Sequence, residues 1–321
     1  MKALRLRGFG GPEVMEVADV DSPGPPKGDE VLVRVRAAGV NRADLLQRQG
    51  HYPAPPGSPQ DILGLEFAGV VNAVGPGVRD IRVGDRVMGI VGGGAQAEFV
   101  LTNEPLVVPV PDAVTDIEAG GIPEAYITAH DALYVQGSLV AGERVLIHAV
   151  GSGVGIAALQ LAKARGCTVF GTSRSKEKLE KATALGLDVA IDPAVESFEA
   201  VAHDVDVIID FIGAPYFEKN LNALALRGRL VSVSTLGGTA ASLSLRTLMT
   251  KRLHIVGTML RSRSSEEKAE VTRTFARDAG PLFASGAVRV PIDHVFKLEE
   301  AADAHRYVDG NKNFGKVVFS I

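Results

Sequence analysis

Up to about residue 110 the chain alternates apolar and polar positions with a period of two. In EVLVRVRA (30–37), Val31, Val33 and Val35 alternate with Leu32, Arg34 and Arg36, which is the pattern of a half-buried strand. The turn-forming SPGPPKGD precedes it. Further strands are expected at 62–74, 86–90 and 96–101, separated by Gly75-Pro76-Gly77 and by Gly92, Gly93 and Gly94. The region reads as a small barrel or sandwich. From about residue 120 the period changes. Apolar runs at 144–150, 167–173, 188–192, 206–212, 229–235 and 253–259 alternate with GIAALQLAKARG, KEKLEKATALG and YFEKNLNALALRG, helix-like segments that each end in glycine. That alternation predicts βαβ units and an α/β fold, a doubly wound domain with a six-stranded parallel sheet. After Arg263 the sequence predicts a helix over 265–286, a strand in VRVPIDHVF, a short helix in EEAADAHRYV and a closing strand GKVVFSI. The closing strand is expected to rejoin the first domain. The chain then divides into a discontinuous β-rich domain, 1–122 with 264–321, and an inserted dinucleotide-binding domain, 123–263, with the ligand expected in the cleft between them.

Composition narrows the chemistry. The 321 residues are 46% hydrophobic and 22% charged, a globular balance with enough apolar material for two cores. A single cysteine, Cys167, closes no intrachain disulfide and supplies at most one sulfur to a metal. The net charge of −4 gives no basic field for nucleic acid and no polybasic surface for anionic lipid. No apolar signal-like region follows MKALRLRGFGG, and no run of 18 apolar residues occurs, so a soluble, cytoplasmic protein is expected. The 36 glycines are about 11% of the chain against roughly 7% on average, an excess that points to tight turns and close backbone approaches.

One glycine cluster carries specific chemistry. The first strand of the α/β region runs into AVGSGVG (149–155) and then a helix, the setting of a dinucleotide-binding turn. Aligned on the last glycine, the three fingerprint positions are Val150, Ser152 and Gly155, so only one is glycine; Gly151 and Gly153 lie between them. By itself the cluster also fits an ordinary strand-to-helix turn, and the six-strand alternation is what favours dinucleotide binding. The N–H groups of Gly151, Ser152, Gly153, Val154 and Gly155 are then the phosphate cradle. The end of the second strand decides which dinucleotide. Where an acid would grip the 2′-hydroxyl of NAD the chain has Ser173, followed by Arg174, Ser175 and Lys178. Hydroxyls and a guanidinium attract a 2′-phosphate that a carboxylate would repel, so NADPH is the expected cofactor. The alternative is that Arg174 and Lys178 form a solvated helix start, although cations there oppose the helix dipole.

GLEFAGVVNAVGPGV (64–78), VGDRVMG (83–89), AQAEFV (95–100) and AVGSGVG together resemble the medium-chain dehydrogenase/reductase superfamily, along the whole chain. NRADLLQRQGHYPAPPG (41–57), EAYITAH (124–130), DFIG (210–213), FEKNLNALALRGR (217–229), LRSR (260–263) and NKNFGK (311–316) are similar to the zeta-crystallin-type quinone oxidoreductases, in the branch of the p53-inducible enzyme and its bacterial relatives. The resemblance implies a GroES-like catalytic domain, a Rossmann domain and a homodimer joined through the Rossmann sheets. It also implies zinc-free chemistry: zinc-dependent members have cysteine where this chain has Asn41 and histidine where it has Leu65, and Cys167 is the one sulfur available. Glu66 would remain as a structural residue. A quinone carbonyl is already electrophilic, so placement and exclusion of water would suffice for hydride transfer.

Carried over position by position, Asn41 and Tyr52 would face nicotinamide and substrate, Thr128 would lie beside the nicotinamide ribose or amide, and Asn313 and Lys316 would meet the cofactor's ribose and phosphate. Each has a plainer alternative. Asn41 is a favoured N-cap for the helix that follows it, Tyr52 could pack on a proline-rich loop, Thr128 could be an ordinary helix hydroxyl and Lys316 a solvated charge. His148, at the end of a buried strand, reads as a hydrogen-bonded structural residue, and Cys167 as a small buried hydrophobe. Relatives often carry a tyrosine near Pro193 that helps hold the 2′-phosphate; Arg174 is the candidate replacement. Two other readings stand beside an NADPH-dependent quinone reductase: a zinc-free enoyl or enone reductase, and a cofactor-binding protein with little catalysis. The natural acceptor, and one- against two-electron transfer, stay open.

Overall fold

The computed structural model describes all residues, Met1–Ile321. It contains two units, one made of Met1–Ile127 with Arg261–Ile321 and the other of Thr128–Leu260. In chain order the first unit opens with β1 (Lys2–Leu6), β2 (Met15–Asp19), β3 (Glu30–Val40), α1 (Arg42–Arg48), β4 (Glu66–Val74), β5 (Arg86–Ile90), β6 (Phe99–Asn103), β7 (Val107–Pro109) and α2 (Asp116–Ala119). Helix α3 (Pro123–His130) carries the chain across the division. The second unit holds β8 (Arg144–Ile147), α4 (Gly153–Ala164), β9 (Thr168–Thr172), α5 (Lys176–Ala184), β10 (Val189–Ile191), α6 (Phe198–Val201), β11 (Val205–Asp210), α7 (Phe217–Ala223), β12 (Leu224–Ser232), α8 (Leu245–Lys251) and β13 (His254–Gly257). The chain then returns to the first unit with α9 (Ser265–Ala284), β14 (Ile292–Lys297), α10 (Ala301–Asp309) and β15 (Lys316–Ser320).

The β-rich unit is organised by β3. Val31, Val33 and Val35 are buried as the alternation predicts, while Arg34 and Arg36 are exposed. β3 pairs with β4, β6 and β15, all antiparallel, so the last strand of the chain does rejoin the first domain, with Phe319 opposite Ala38. The sheet order is β14-β15-β3-β4-β5-β7, with β1 and β2 as a separate pair. β4 begins at Glu66 rather than at Ile62, because Ile62 makes an isolated bridge to Arg5; β6 begins at Phe99, because Ala97 bridges Ala3. Val31, Val33, Val35, Phe67, Val71 and Val87 fill one side of this unit, and Leu4, Leu45, Leu63 and Phe319 fill another.

In the second unit six parallel strands lie in the order β10-β9-β8-β11-β12-β13. With β8 counted as the first strand this is the 3-2-1-4-5-6 order of a doubly wound dinucleotide fold, whose switch point falls between β8 and β11. Ligands of such sheets bind beyond the carboxyl ends of those strands. Leu146, Phe170, Ile191, Phe198, Ile208 and Leu230 build the core beside them. Glycine ends α4 and α5 as expected: Gly166 and Gly186 both sit at positive φ just past the last turn. The third expected helix is shorter. α7 stops at Ala223, and LALRG enters β12 with Arg227 at φ 64 and Leu226 bulged outward. Its pairing with β11 jumps from Val205↔Leu224 to Val207↔Arg229, which is why Gly228 belongs to a strand and not to a helix stop.

Candidate functional site

In the first unit β3 ends at Val40 and α1 starts at Arg42, leaving Asn41 at the junction. The Asp44 carboxylate closes this first turn by accepting the Asn41 N–H at 2.8 Å. Asn41 is the N-cap of α1, as the plainer alternative expected, and its side chain also reaches beyond the helix. Its Nδ2 donates to Glu66 Oε1 at 2.7 Å, and its Oδ1 accepts from Lys316 Nζ at 2.6 Å. Lys316 Nζ also donates to Glu66 Oε1 at 2.6 Å, and the Glu124 N–H donates to Glu66 Oε2 at 2.8 Å. Glu66 is fully buried and Lys316 is 3% exposed, so Lys316 is not a solvated charge. The pair survives burial because every oxygen of Glu66 is matched to a donor. Two glycines make room for it. A Cβ on Gly39 would overlap the Glu66 carboxylate, and Gly315, at φ 86, aims the chain so that Lys316 enters β15. Asn313 Nδ2 donates to the Gly315 carbonyl at 2.9 Å and so braces that turn.

Around this pair stand two further carboxyl groups. Asp44, fully buried, is pushed up to about 6, first by burial and also by Glu66, although the N–H groups of Asn41 and Gly64 oppose the rise. Glu124 is pushed up to about 7 by burial and by Glu66 and Asp44, with Lys316 and Arg261 pulling the other way. Arg261 holds the Tyr52 loop. Its Nη1 donates to the Tyr52 carbonyl at 2.8 Å, its Nη2 to Gln47 Oε1 at 2.5 Å and to the Gly92 carbonyl at 2.9 Å, and its guanidinium lies 4.6 Å from the centre of the Tyr52 ring. Tyr52 is half-buried, and burial, with Glu124 nearby, raises its hydroxyl above the ordinary value. Asn41, Tyr52 and Lys316 thus share one polar cluster. Thr128 lies half-buried on α3, at the start of the second unit.

The second unit brings the glycine turn and the serine-arginine segment to the carboxyl ends of β8 and β9. Ala149 takes a left-handed φ of 47 to make the turn, a conformation that disfavours any side chain and marks a site with local strain. Ser152 caps α4 by accepting the Gly155 N–H at 3.1 Å. Gly155 is required by packing, since a Cβ there would strike the Ala149 carbonyl and Val150; Gly151 packs on the Lys178 methylenes in the same way. The N–H groups of Gly153 and Val154, in the first turn of a twelve-residue helix, have no carbonyl partner four residues back. These donors, with the helix dipole behind them, fit a pyrophosphate. Ser173 Oγ accepts the Ser175 N–H at 3.2 Å, and Ser175 caps α5 through the Lys178 N–H at 3.3 Å. Arg174 is exposed and forms no salt bridge.

Beneath the turn lies a chain of buried, hydrogen-bonded polar groups. Asn220 Nδ2 donates to Asp210 Oδ2 at 3.1 Å, which leaves its Oδ1 to accept from His148 Nε2 at 2.7 Å; His148 Nδ1 then accepts from Thr172 Oγ1 at 3.0 Å. Burial pushes His148 down to about 4, so it is uncharged and its tautomer is fixed by its partners. This chain ties the ends of β8, β9 and β11 to α7.

No group of three His, Cys, Asp or Glu side chains is arranged to hold a metal. The donor set does not suit zinc either. Asn41 presents an amide, Leu65 an alkyl group, and the ammonium of Lys316 fills the space between Asn41 and Glu66. Cys167 is buried, with its Sγ directed to the Val140 carbonyl. Sequence reasoning assigned no chemistry to Asp44, Glu124 or Arg261. LRSR and EAYITAH were visible only as motifs, and nothing within them singles out Arg261 or Glu124.

Comparison with known proteins agrees with this architecture. Residues 27–112 match the family described as alcohol dehydrogenase GroES-like domain, and residues 153–277 match the zinc-binding dehydrogenase family. The chain is 35% identical to a quinone oxidoreductase of Pseudomonas aeruginosa, over 99% of this chain and 98% of that one. The solved structure of the Escherichia coli quinone oxidoreductase complexed with NADPH superposes with a TM-score of 0.89 at 27% identity, covering all of both chains. The enoyl reductase CurK superposes with a TM-score of 0.86 at 26% identity, over 99% of this chain and 98% of that one.

Proposed function

The chain belongs to the medium-chain dehydrogenase/reductase family, and from that premise we propose that it is an NADPH-dependent quinone oxidoreductase that works without a metal. The observation that carries this reading is the buried Asn41–Lys316–Glu66 network, in which an amide and an ammonium occupy Glu66 and leave no ligand set for a Lewis-acid metal. An acceptor that is electrophilic without a Lewis acid is the substrate such a site suits, and a quinone is one. The quinone oxidoreductase relatives support the same class. NADPH, when bound, supplies the hydride. The N–H groups at Gly151, Ser152, Gly153, Val154 and Gly155 would hold its pyrophosphate, and Ser173, Arg174, Ser175 and Lys178 its 2′-phosphate. Asn41 and Tyr52 would orient nicotinamide and acceptor, with Thr128 beside the ribose or amide and Asn313 at the turn before β15; Lys316, its ammonium buried between Glu66 and Asn41, would act by holding Asn41 rather than by meeting the cofactor's phosphate.

The direct test is NADPH oxidation against benzoquinones, naphthoquinones, phenanthrenequinone and enones, with and without a chelator. Turnover of quinones that survives the chelator is expected; loss on chelation contradicts the reading. Arg174→Ala should raise the KM for NADPH by about 10-fold to 100-fold, the worth of a charge-assisted hydrogen bond, while Lys176→Ala changes it little. Equal effects would remove Arg174 from the phosphate site. Enone reduction is the second reading, favoured by the likeness to an enoyl reductase and by Tyr52, whose hydroxyl could protonate an enolate. A loss on Tyr52→Phe confined to enones would select it. We further propose a cytoplasmic homodimer joined through β13, an edge strand on which Ile255 and, just beyond it, Met259 are exposed. No helix is long and apolar enough to cross a membrane. Sedimentation of the purified chain as a monomer would exclude the dimer.

A further inference from the structure

We propose that Glu124 is the residue that donates the proton completing quinone reduction, held in position by the Glu66–Lys316–Asn41 network beneath it. The assignment rests on the quinone reductase reading, taken with two-electron transfer, and goes beyond it by naming the acid. Reduction of a quinone to a hydroquinone needs one hydride and one proton, so a reductase that excludes water has to hold the proton itself.

Of the three carboxyl groups in the cluster, only Glu124 is placed to give a proton away. Glu66 accepts from Asn41 Nδ2, Lys316 Nζ and the Glu124 N–H, so each of its oxygens is engaged. Asp44 accepts the Asn41 N–H through one oxygen and the Gly64 N–H through the other. Protonating either group would break a bond inside the fold. The Glu124 carboxyl takes part in no hydrogen bond with the protein and is only half-buried, while its backbone N–H is pinned to Glu66. It can gain and lose a proton with no rearrangement.

The charges around it favour keeping that proton at neutral pH. Three carboxyl groups, Asp44 from α1, Glu66 from β4 and Glu124 from α3, face two close cations, Lys316 from β15 and Arg261 from the segment before α9. One carboxyl group is in excess, and the group without hydrogen bonds is the cheapest to neutralise. Lys268 of α9 also faces this group, its ammonium pushed down by burial and by Arg261 and held up by Glu124. Tyr52 faces the same group, since a charge on Glu124 raises the Tyr52 hydroxyl. The Glu124 carboxyl is accordingly raised to about 7, a value suited to proton delivery at neutral pH.

The step balances. The quinone takes a hydride from NADPH, leaving NADP⁺ and a hydroquinone monoanion. The Glu124 O–H bond breaks as the O–H bond of the hydroquinone forms, and solvent returns a proton to the Glu124 carboxylate before the next turnover.

The test pairs turnover with a titration of the protein alone. With saturating NADPH and quinone, wild-type kcat should fall above about pH 7 with a one-proton slope. Glu124→Gln should lower kcat about 100-fold at pH 6 and abolish that slope, and Glu124→Asp should keep the slope at a reduced rate. In unliganded protein labelled with ¹³C at glutamate side-chain carboxyls, the signal that Glu124→Gln removes should titrate near pH 7. A signal titrating below pH 5.5, or a Glu124→Gln enzyme that keeps the wild-type rate and slope, overturns the assignment while the quinone reductase reading stands. If wild-type protein reduces no quinone at all, that reading fails and the donor role with it, wherever the signal titrates.

Discussion

Both units bury a polar network, and the two are opposite in kind. The first unit holds an ionised cluster in which Lys316 and Arg261 face Asp44, Glu66 and Glu124, one carboxyl group more than the cations can match. The second holds the chain Asp210–Asn220–His148–Thr172, in which every buried donor named has an acceptor and the imidazole carries no charge. An excess charge makes a network responsive to protons. A chain in which every donor and acceptor is matched fixes geometry instead, here the strand ends on which the glycine turn is built. Acid–base work would then fall to the first unit and positioning to the second.

The largest effect should come from removing the cation of the first network. Lys316→Met leaves the carboxylate of Glu66 buried without its counter-charge, and the unfolding free energy measured in urea should fall by about 3 to 5 kcal/mol. The double variant Glu66→Gln with Lys316→Met should recover most of that loss, because a matched neutral pair replaces an unmatched charge. A single variant as stable as wild type would mean that the first network is no more charge-dependent than the second, and the contrast would fail.

The pH dependence sharpens the same contrast, because the two regions have opposite signs. His148 is held down to about 4 against 6.5 when unfolded, so protons favour the unfolded chain. Its contribution is complete above 6.5 and is lost as pH falls toward 4, by about 3 kcal/mol. Asp44 is held up at about 6 against 3.8, so its contribution is complete at low pH and is lost as pH rises from about 4 to 6, also by about 3 kcal/mol. Whole-protein stability mixes these terms, so the measurement is a difference. The gap between wild type and His148→Gln should shrink on going from pH 7 to pH 4, while the gap between wild type and Asp44→Asn should shrink on going from pH 4 to pH 6.5. Gaps that do not move, or move the same way, would erase the distinction.

How much of this was legible in the sequence depends on the range of the interaction. The six parallel strands and the stops at Gly166 and Gly186 are local signals, carried by apolar runs and by backbone conformations that glycine favours. The overlong third helix shows the limit of such signals. FEKNLNALALRGR keeps helical spacing through Leu224, and only pairing with β11 decides that the chain turns extended there. Ala149 is illegible for a related reason: the turn imposes a left-handed φ on a residue whose type does not announce it. Lys316 was harder still. In sequence it is a lysine beside a glycine, and its burial follows from Glu66, 250 positions earlier. Glu124 and Arg261 likewise take their chemistry from what the fold packs against them.

The smallest effect belongs to the positioning region and asks whether its geometry is made locally. Ser152 accepts the Gly155 N–H and so supplies one of the partners that the first turn of α4 lacks. Ser152→Ala should lower the unfolding free energy by about 1 kcal/mol, the usual worth of a helix cap, with no dependence on pH because the hydroxyl does not titrate in the range. The same variant leaves the backbone N–H groups of Gly153 and Val154 in place, so NADPH affinity measured by fluorescence titration should weaken by only a few-fold if the cradle is made of backbone. A loss of 100-fold or more would show that the serine hydroxyl itself grips the pyrophosphate. In that event the second unit would bind through a side chain, as the first unit does its chemistry, and the division between a responsive network and a fixed one would hold for protons alone.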